Sequence, residues 1–158
     1  MNADRPPSVM LVAVNDSEAA FAAAEVAVSW AAVLGARVHV LTVIEPWERA
    51  HHAYATDEVS HREVQQQAAH AALHHVTALG EGAGVPVTGA VRHGAVGSQV
   101  LAEAAACGAD LVVMARVSRP GHAMPTVGSA TLRVLEFATV PVLVVPTEVP
   151  PGRPHLPA

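Results

Sequence analysis

Short apolar runs alternating with helical patterns constrain what this chain can fold into more than any other feature of it. Val9–Val14 is a continuous apolar run, as expected of a strand buried on both faces. Asp16 or Ser17 can cap the helix that follows, which runs to about Leu34 with Gly35 as its stop. Arg37–Ile44 is rich in β-branched residues and reads as a second strand, ended by Pro46. Ser60 and Glu63 form a capping box, with Val59 and Val64 as its hydrophobic staple. Val64, Ala68, Ala71, Ala72, Val76 and Leu79 then share one helical face. Gly80, Gly82 and Gly84 are expected to close that helix and turn into a third strand, Val85–Val91. Gly94–Gly97 reads as a tight turn, with Ser98 capping a helix over Gln99–Cys107. Leu111–Met114 is a fourth strand, Ser129 opens a helix to about Ala138, and Pro141 leads into a fifth strand, Val142–Val145.

Such alternation implies parallel strands joined by right-handed crossovers. The length, 158 residues, suits one domain with a real core. Apolar residues make up 51% of the chain and aromatics only 3%, so Val, Leu and Ala must build that core. A sheet covered by Ala-rich helices fits this best. The expected organisation is an N-terminal tail over 1–7, a domain over 8–146 and a Pro-rich tail over 147–158, extended or disordered. Open parallel sheets bind ligands beyond the carboxyl ends of their strands. The residues expected there are Asn15-Asp16, Val43–Glu45, Arg92–Gly94 and Ala115–Ser118.

The formal net charge is −5, and every fixed cation is an arginine. With no lysine, Schiff-base chemistry and a P-loop lysine are excluded. Duplex DNA needs a basic face that this composition does not supply. Phe21, Trp30, Trp47, Tyr54 and Phe137 are too scattered to stack a single strand, so no nucleic-acid partner is expected. Cys107 stands alone, which rules out an internal disulfide, and reads as a small core residue. The apolar stretch Ala19–Ala36 contains Glu25 and reads as a buried helix rather than a membrane span. The N-terminus does not read as a signal peptide, and the expected location is the cytoplasm.

The segment Ala115–Ser129 follows a buried strand and ends at a helix start. Helix N-terminal amides can hold an anion there, Ser129 adds a hydroxyl, and Arg116 and Arg119 add positive charge. An ordinary surface loop with a helix cap is the competing reading. Six histidines fall between His51 and His75. At helical angles His70 and His74 share an outward face one turn apart, a spacing that can chelate zinc. His61 and His75 fall toward the apolar face, and His51 and His52 lie in the preceding loop, so the set does not converge on a metal. Gly80-Glu81-Gly82-Ala83-Gly84 precedes a strand, whereas dinucleotide-binding glycines must follow one. Neither Ser98 nor Ser129 sits in a Gly-x-Ser-x-Gly elbow. Only Asp16 and Glu45 lie at the expected ligand edge, so no pair of carboxylates is set for acid–base hydrolysis.

Several ordered stretches resemble the universal stress protein family over about residues 8–146. Val14-Asn15-Asp16-Ser17 resembles the Val-Asp-Gly-Ser-like turn after its first strand, and Thr42-Val43 its His-Val-like pair. Gly94 matches the glycine after the third strand. Ala109–Met114 and Pro141–Val145 match the Ala-Asp-Leu-Val-Val-Met and Pro-Val-Leu-Val-Val runs as they stand. The resemblance implies a single-domain three-layer α/β/α sandwich with a five-stranded parallel sheet of order 3-2-1-4-5, similar to the adenine nucleotide alpha hydrolases. Nucleotide-binding members carry Gly, two residues, Gly, nine residues, then Gly-Ser or Gly-Thr. Here the spacing is kept, but Ala115 and Ser118 replace both leading glycines ahead of Gly128-Ser129. Pro120 and Pro125 stiffen the loop between. Asn15 stands where the family has an acidic residue against the sugar or base.

By this resemblance Asn15, Val43, Arg116, Ser118, Gly128 and Ser129 would line a nucleotide site, with Val43 touching adenine through its backbone. The leading reading is a regulatory, stress-associated module without catalysis and with a degenerate nucleotide loop. A second keeps a working ATP site, with slow hydrolysis and accompanying Mg²⁺. A third is a metal-responsive binder using the histidine segment. The resemblance also implies a homodimer through Val142–Val145, which fits an apolar edge strand that needs covering.

Overall fold

The computed structural model describes residues 4–46, 58–116 and 127–146, for 58–60 the backbone alone. Trp47, His51, His52, Tyr54, Ser118, Arg119, Pro120, Pro125 and both expected tails, apart from residues 4–7, lie outside the described residues. The strands are β1 (Val9–Ala13), β2 (Arg37–Ile44), β3 (Val87–His93), β4 (Leu111–Ala115) and β5 (Val142–Val145). The helices are α1 (Glu18–Leu34), α2 (Glu58–Ala83), α3 (Val96–Cys107) and α4 (Ser129–Phe137). All strand pairings are parallel and the order is β3-β2-β1-β4-β5, as the resemblance implies.

Strand alternation divides the core in two. Met10, Val12, Val38, Val40 and Val113 pack beneath the alanines of α1 and Ala72 and Val76 of α2. Leu11, Leu41, Val112 and Met114 face the other way, against Val100 of α3 and Val134 of α4. The alanine-rich inner face of α1 lets that helix lie close on the sheet. Its ends are as expected: the Ser17 hydroxyl accepts from the Ala20 amide, and Gly35 takes the left-handed conformation at φ 66°.

Several boundaries differ from the sequence reading. α2 begins by Glu58, so Ser60 lies within its first turn rather than at its cap. Val64 is 63% exposed and Ala71 is also exposed, while Ala69 is buried; the inward face keeps Ala68, Ala72, Val76 and Leu79 of the expected one and takes Ala69 in place of Val64 and Ala71. Gly80 and Gly82 do not end α2. Gly84 does, at φ 68°. The Val85 amide then closes onto the Gly80 carbonyl and Pro86 has no N–H, so β3 starts only at Val87. Gly80 is required for a different reason: a Cβ there would run into the Val87 side chain and lie 2.9 Å from the Val85 carbonyl oxygen. α3 begins at Val96, with Ala95 at its N-cap and no side-chain cap. Ser98 is therefore inside the helix, because the turn is completed earlier, at Gly94 with φ 135°. Among the described residues, no helix is long and apolar enough to cross a membrane.

Candidate functional site

A cleft of about 680 Å³ opens across the carboxyl ends of the strands. Its size lies within the range of small-molecule sites. Its two ends differ in chemistry. On the α1–α2 side, Ala20, Ala68, Ala69 and Ile44 form a mostly apolar wall. Gln65 and Thr42 are polar residues set into it. On the other side, the first turns of two helices meet. Ala95, Val96 and Gly97 come from α3; Gly128, Ser129, Ala130 and Thr131 come from the start of α4. Neither N-cap residue, Ala95 or Gly128, caps its helix with a side chain, so no N-cap side chain takes up the first-turn amides that meet here.

Close packing fixes that second end. A Cβ on Gly97 would sit 3.1 Å from the Arg133 Cβ and 3.2 Å from the Ala130 carbonyl oxygen, so glycine lets α3 and α4 approach. The Gly128 amide donates to the Arg116 carbonyl at 2.8 Å, and the buried Thr131 hydroxyl donates to the Ala115 carbonyl at 3.0 Å. The start of α4 is thus tied to the end of β4 through backbone oxygens. Arg133, one turn beyond Ser129, lines the cleft and lies over the Phe137 ring at 4.9 Å.

Of the residues singled out from sequence, Asn15, Val43, Gly128 and Ser129 line the cleft, as do Asp16, Glu45 and Ala115. Ser118 lies outside the described residues. Arg116 is not among the described lining residues; what it contributes is the carbonyl that holds Gly128. Arg92–Gly94 are likewise displaced from the cleft by Ala95–Gly97. Arg92 turns to the buried Glu103, which also bonds His39 Nε2 at 2.7 Å, while His39 Nδ1 meets the Thr88 hydroxyl at 2.7 Å. Burial pushes the Glu103 carboxyl up, but the bonds and charges of Arg92 and His39 outweigh it and leave it below its ordinary value.

The Asn15 side-chain oxygen accepts from the Ser17 hydroxyl at 2.6 Å, a bond that does not use its NH₂ group. Ala115 ends a regular strand paired with Val145, so the missing glycine there adds a methyl group and no backbone strain. Arg133, Gln65, Thr42 and Ala95–Gly97 were not anticipated. Arg133 was open to inference, since it lies four residues after Ser129 and so on the same helical face.

The histidines of α2 diverge as expected. His70, His74 and His75 are all exposed, and His75 also meets the Phe21 ring, tilted by 40° with ring centroids 4.2 Å apart. Among the described residues, no group of three or more His, Cys, Asp or Glu side chains can hold a metal ion.

The family model described as the universal stress protein family matches residues 8–146. No curated protein matches the chain. Among solved structures, a universal stress protein family member from Burkholderia pseudomallei is 26% identical. The match covers 89% of this chain and 96% of that one, at TM-score 0.67. A universal stress protein in complex with cAMP is 20% identical, covering 90% and 98%, at TM-score 0.67. The universal stress protein from Archaeoglobus fulgidus in complex with dAMP is 16% identical, covering 86% and 94%, at TM-score 0.63.

Proposed function

The chain belongs to the universal stress protein family, and on that premise we propose that it is a non-catalytic, nucleotide-responsive module whose cleft holds an adenine nucleoside monophosphate. The observation that carries this reading is the two-ended cleft, apolar between α1 and α2 and rich in helix N-terminal amides between α3 and α4. A flat heterocycle suits the first end and one phosphate the second. Arg133 supplies the fixed positive charge that the chain, having no lysine, must take from arginine.

A longer phosphate chain is less well served. It would extend along the loop where Ala115 and Ser118 stand in place of the family's cradle glycines. Two of the similar structures hold cAMP and dAMP, each with a single phosphate. Asp16 and Glu45 are the carboxylates among the described lining residues, and no histidine joins them there. That favours binding over hydrolysis. In this reading the protein is a cytoplasmic homodimer, paired through β5.

Calorimetry on the full chain tests the proposal. AMP is expected to bind with micromolar affinity, ATP with Mg²⁺ no more tightly, and no phosphate to be released from ATP. Absence of heat with millimolar AMP would overturn the reading. Steady ATP turnover would overturn its non-catalytic part.

A further inference from the structure

Thr42 is buried, with 4% of its surface exposed, and it lines the cleft. It sits on β2 two and four residues beyond Val40 and Val38, whose side chains lie under α1 and α2. Alternation along the strand sends the Thr42 side chain to that same face. Ala20 and Ala69, also buried, line the same cleft. The Thr42 Oγ1 is sealed from solvent and makes no hydrogen bond. A buried hydroxyl without a partner is costly, and valine of the same shape would avoid the cost. Nothing in the strand requires threonine here, since valine serves the same face at positions 38 and 40.

We propose that Thr42 is a specificity-determining residue of the cleft, whose hydroxyl is completed by the hydrogen-bonding edge of a bound purine. The inference rests on the nucleotide reading above. A step of about 120° between staggered χ1 wells would carry the sealed oxygen to the position its own methyl or hydrogen now takes, and so toward a ligand in the cleft. A hydroxyl can donate to a ring nitrogen or accept from an exocyclic amine. Gln65 offers a second polar group on the same wall, steadied by a 3.5 Å contact from its amide to the Glu45 carbonyl. The purine is therefore read by a hydroxyl and a carboxamide against an otherwise apolar surface.

Thr42→Val and Thr42→Ser separate this role from a structural one. In the absence of ligand, Thr42→Val is expected to raise the melting temperature by about 2–4 °C, because the orphaned hydroxyl is gone. It should weaken AMP binding about tenfold, a loss of one hydrogen bond. Competition by ribose 5-phosphate, which has no heterocycle, should be unchanged. Thr42→Ser should bind AMP like the wild type. Wild-type affinity for AMP in Thr42→Val would overturn the inference while leaving the nucleotide reading intact, as would a Thr42→Val protein no more stable than its parent. A wild-type protein that binds no AMP would overturn both.

Discussion

Asp110 shows how one side chain can hold the two central strands in place. Its Oδ2 accepts from the Ser8 amide at 2.9 Å, the Ser8 hydroxyl at 2.7 Å and the Val9 amide at 3.1 Å. Its own amide donates to the Val9 carbonyl at 2.9 Å. Those donors favour the carboxylate, the Ser8 hydroxyl most, and hold its pKa below the ordinary 3.8. A depressed carboxylate contributes stability that is complete above the unfolded-state value and is lost as pH falls through the folded one. Asp110→Asn should therefore destabilise the protein by about 1–3 kcal/mol at neutral pH. It should also flatten the acid limb of the stability curve below about pH 4, as urea titrations at a series of pH values would show. An unchanged acid limb would contradict this account. Asp110 was legible in sequence only as part of a family-like run; its three donors belong to residues about a hundred positions away, which no local pattern reveals. Thr42 was hidden in the same way, since a strand residue without a partner looks like any other until its neighbours are known.

At the scale of elements, the sequence pattern located every described strand and helix, because short apolar runs, buried almost throughout in β1 and β4, stand out when helices separate them. It misjudged ends where two elements touch. α2 runs through Gly80 and Gly82, residues whose ordinary reading is a stop signal. Their roles differ, and the same substitution should therefore have opposite signs. Gly82→Ala meets open space and gains helix propensity, stabilising by up to about 1 kcal/mol. Gly80→Ala must push β3 or Val87 aside, and overpacking of about 1–3 kcal/mol outweighs the gain in propensity. Thermal melts of the two variants side by side would check this; a Gly80→Ala protein as stable as Gly82→Ala would contradict the close approach. The cleft has the same origin. Gly97 was read as part of a turn, yet its place is inside α3, where it admits α4. The end of the cleft where two helix N-termini meet is a product of helix packing, so only its Gly128-Ser129 half was visible in the sequence.

For the whole molecule, β5 is one of the two edge strands of the sheet, with β3 at the other edge. The Pro141 and Val145 carbonyls accept from the Val112 and Arg116 amides of the neighbouring strand region. By alternation, Val142 and Val144 turn their backbone groups outward, to the free edge. Beside that edge, α4 exposes Leu132, Leu135 and Phe137. An apolar edge of this kind invites a second copy of the chain. Val144→Pro removes an outward N–H, a change tolerated at an edge, and is expected to convert a dimer to a folded monomer in sedimentation velocity. A monomeric wild type, or a variant that still dimerises, would contradict pairing through this strand.

The proposed function lies at one place, the cleft over the strand ends. An amide-resolved NMR titration of the full chain with AMP tests that most directly. Saturable shifts are expected in two sets, at Asn15, Thr42–Val43 and Gln65 toward the heterocycle end and at Ala95–Gly97 and Gly128–Thr131 toward the phosphate end. No shifts at millimolar AMP, or shifts centred on another face of the protein, would contradict it.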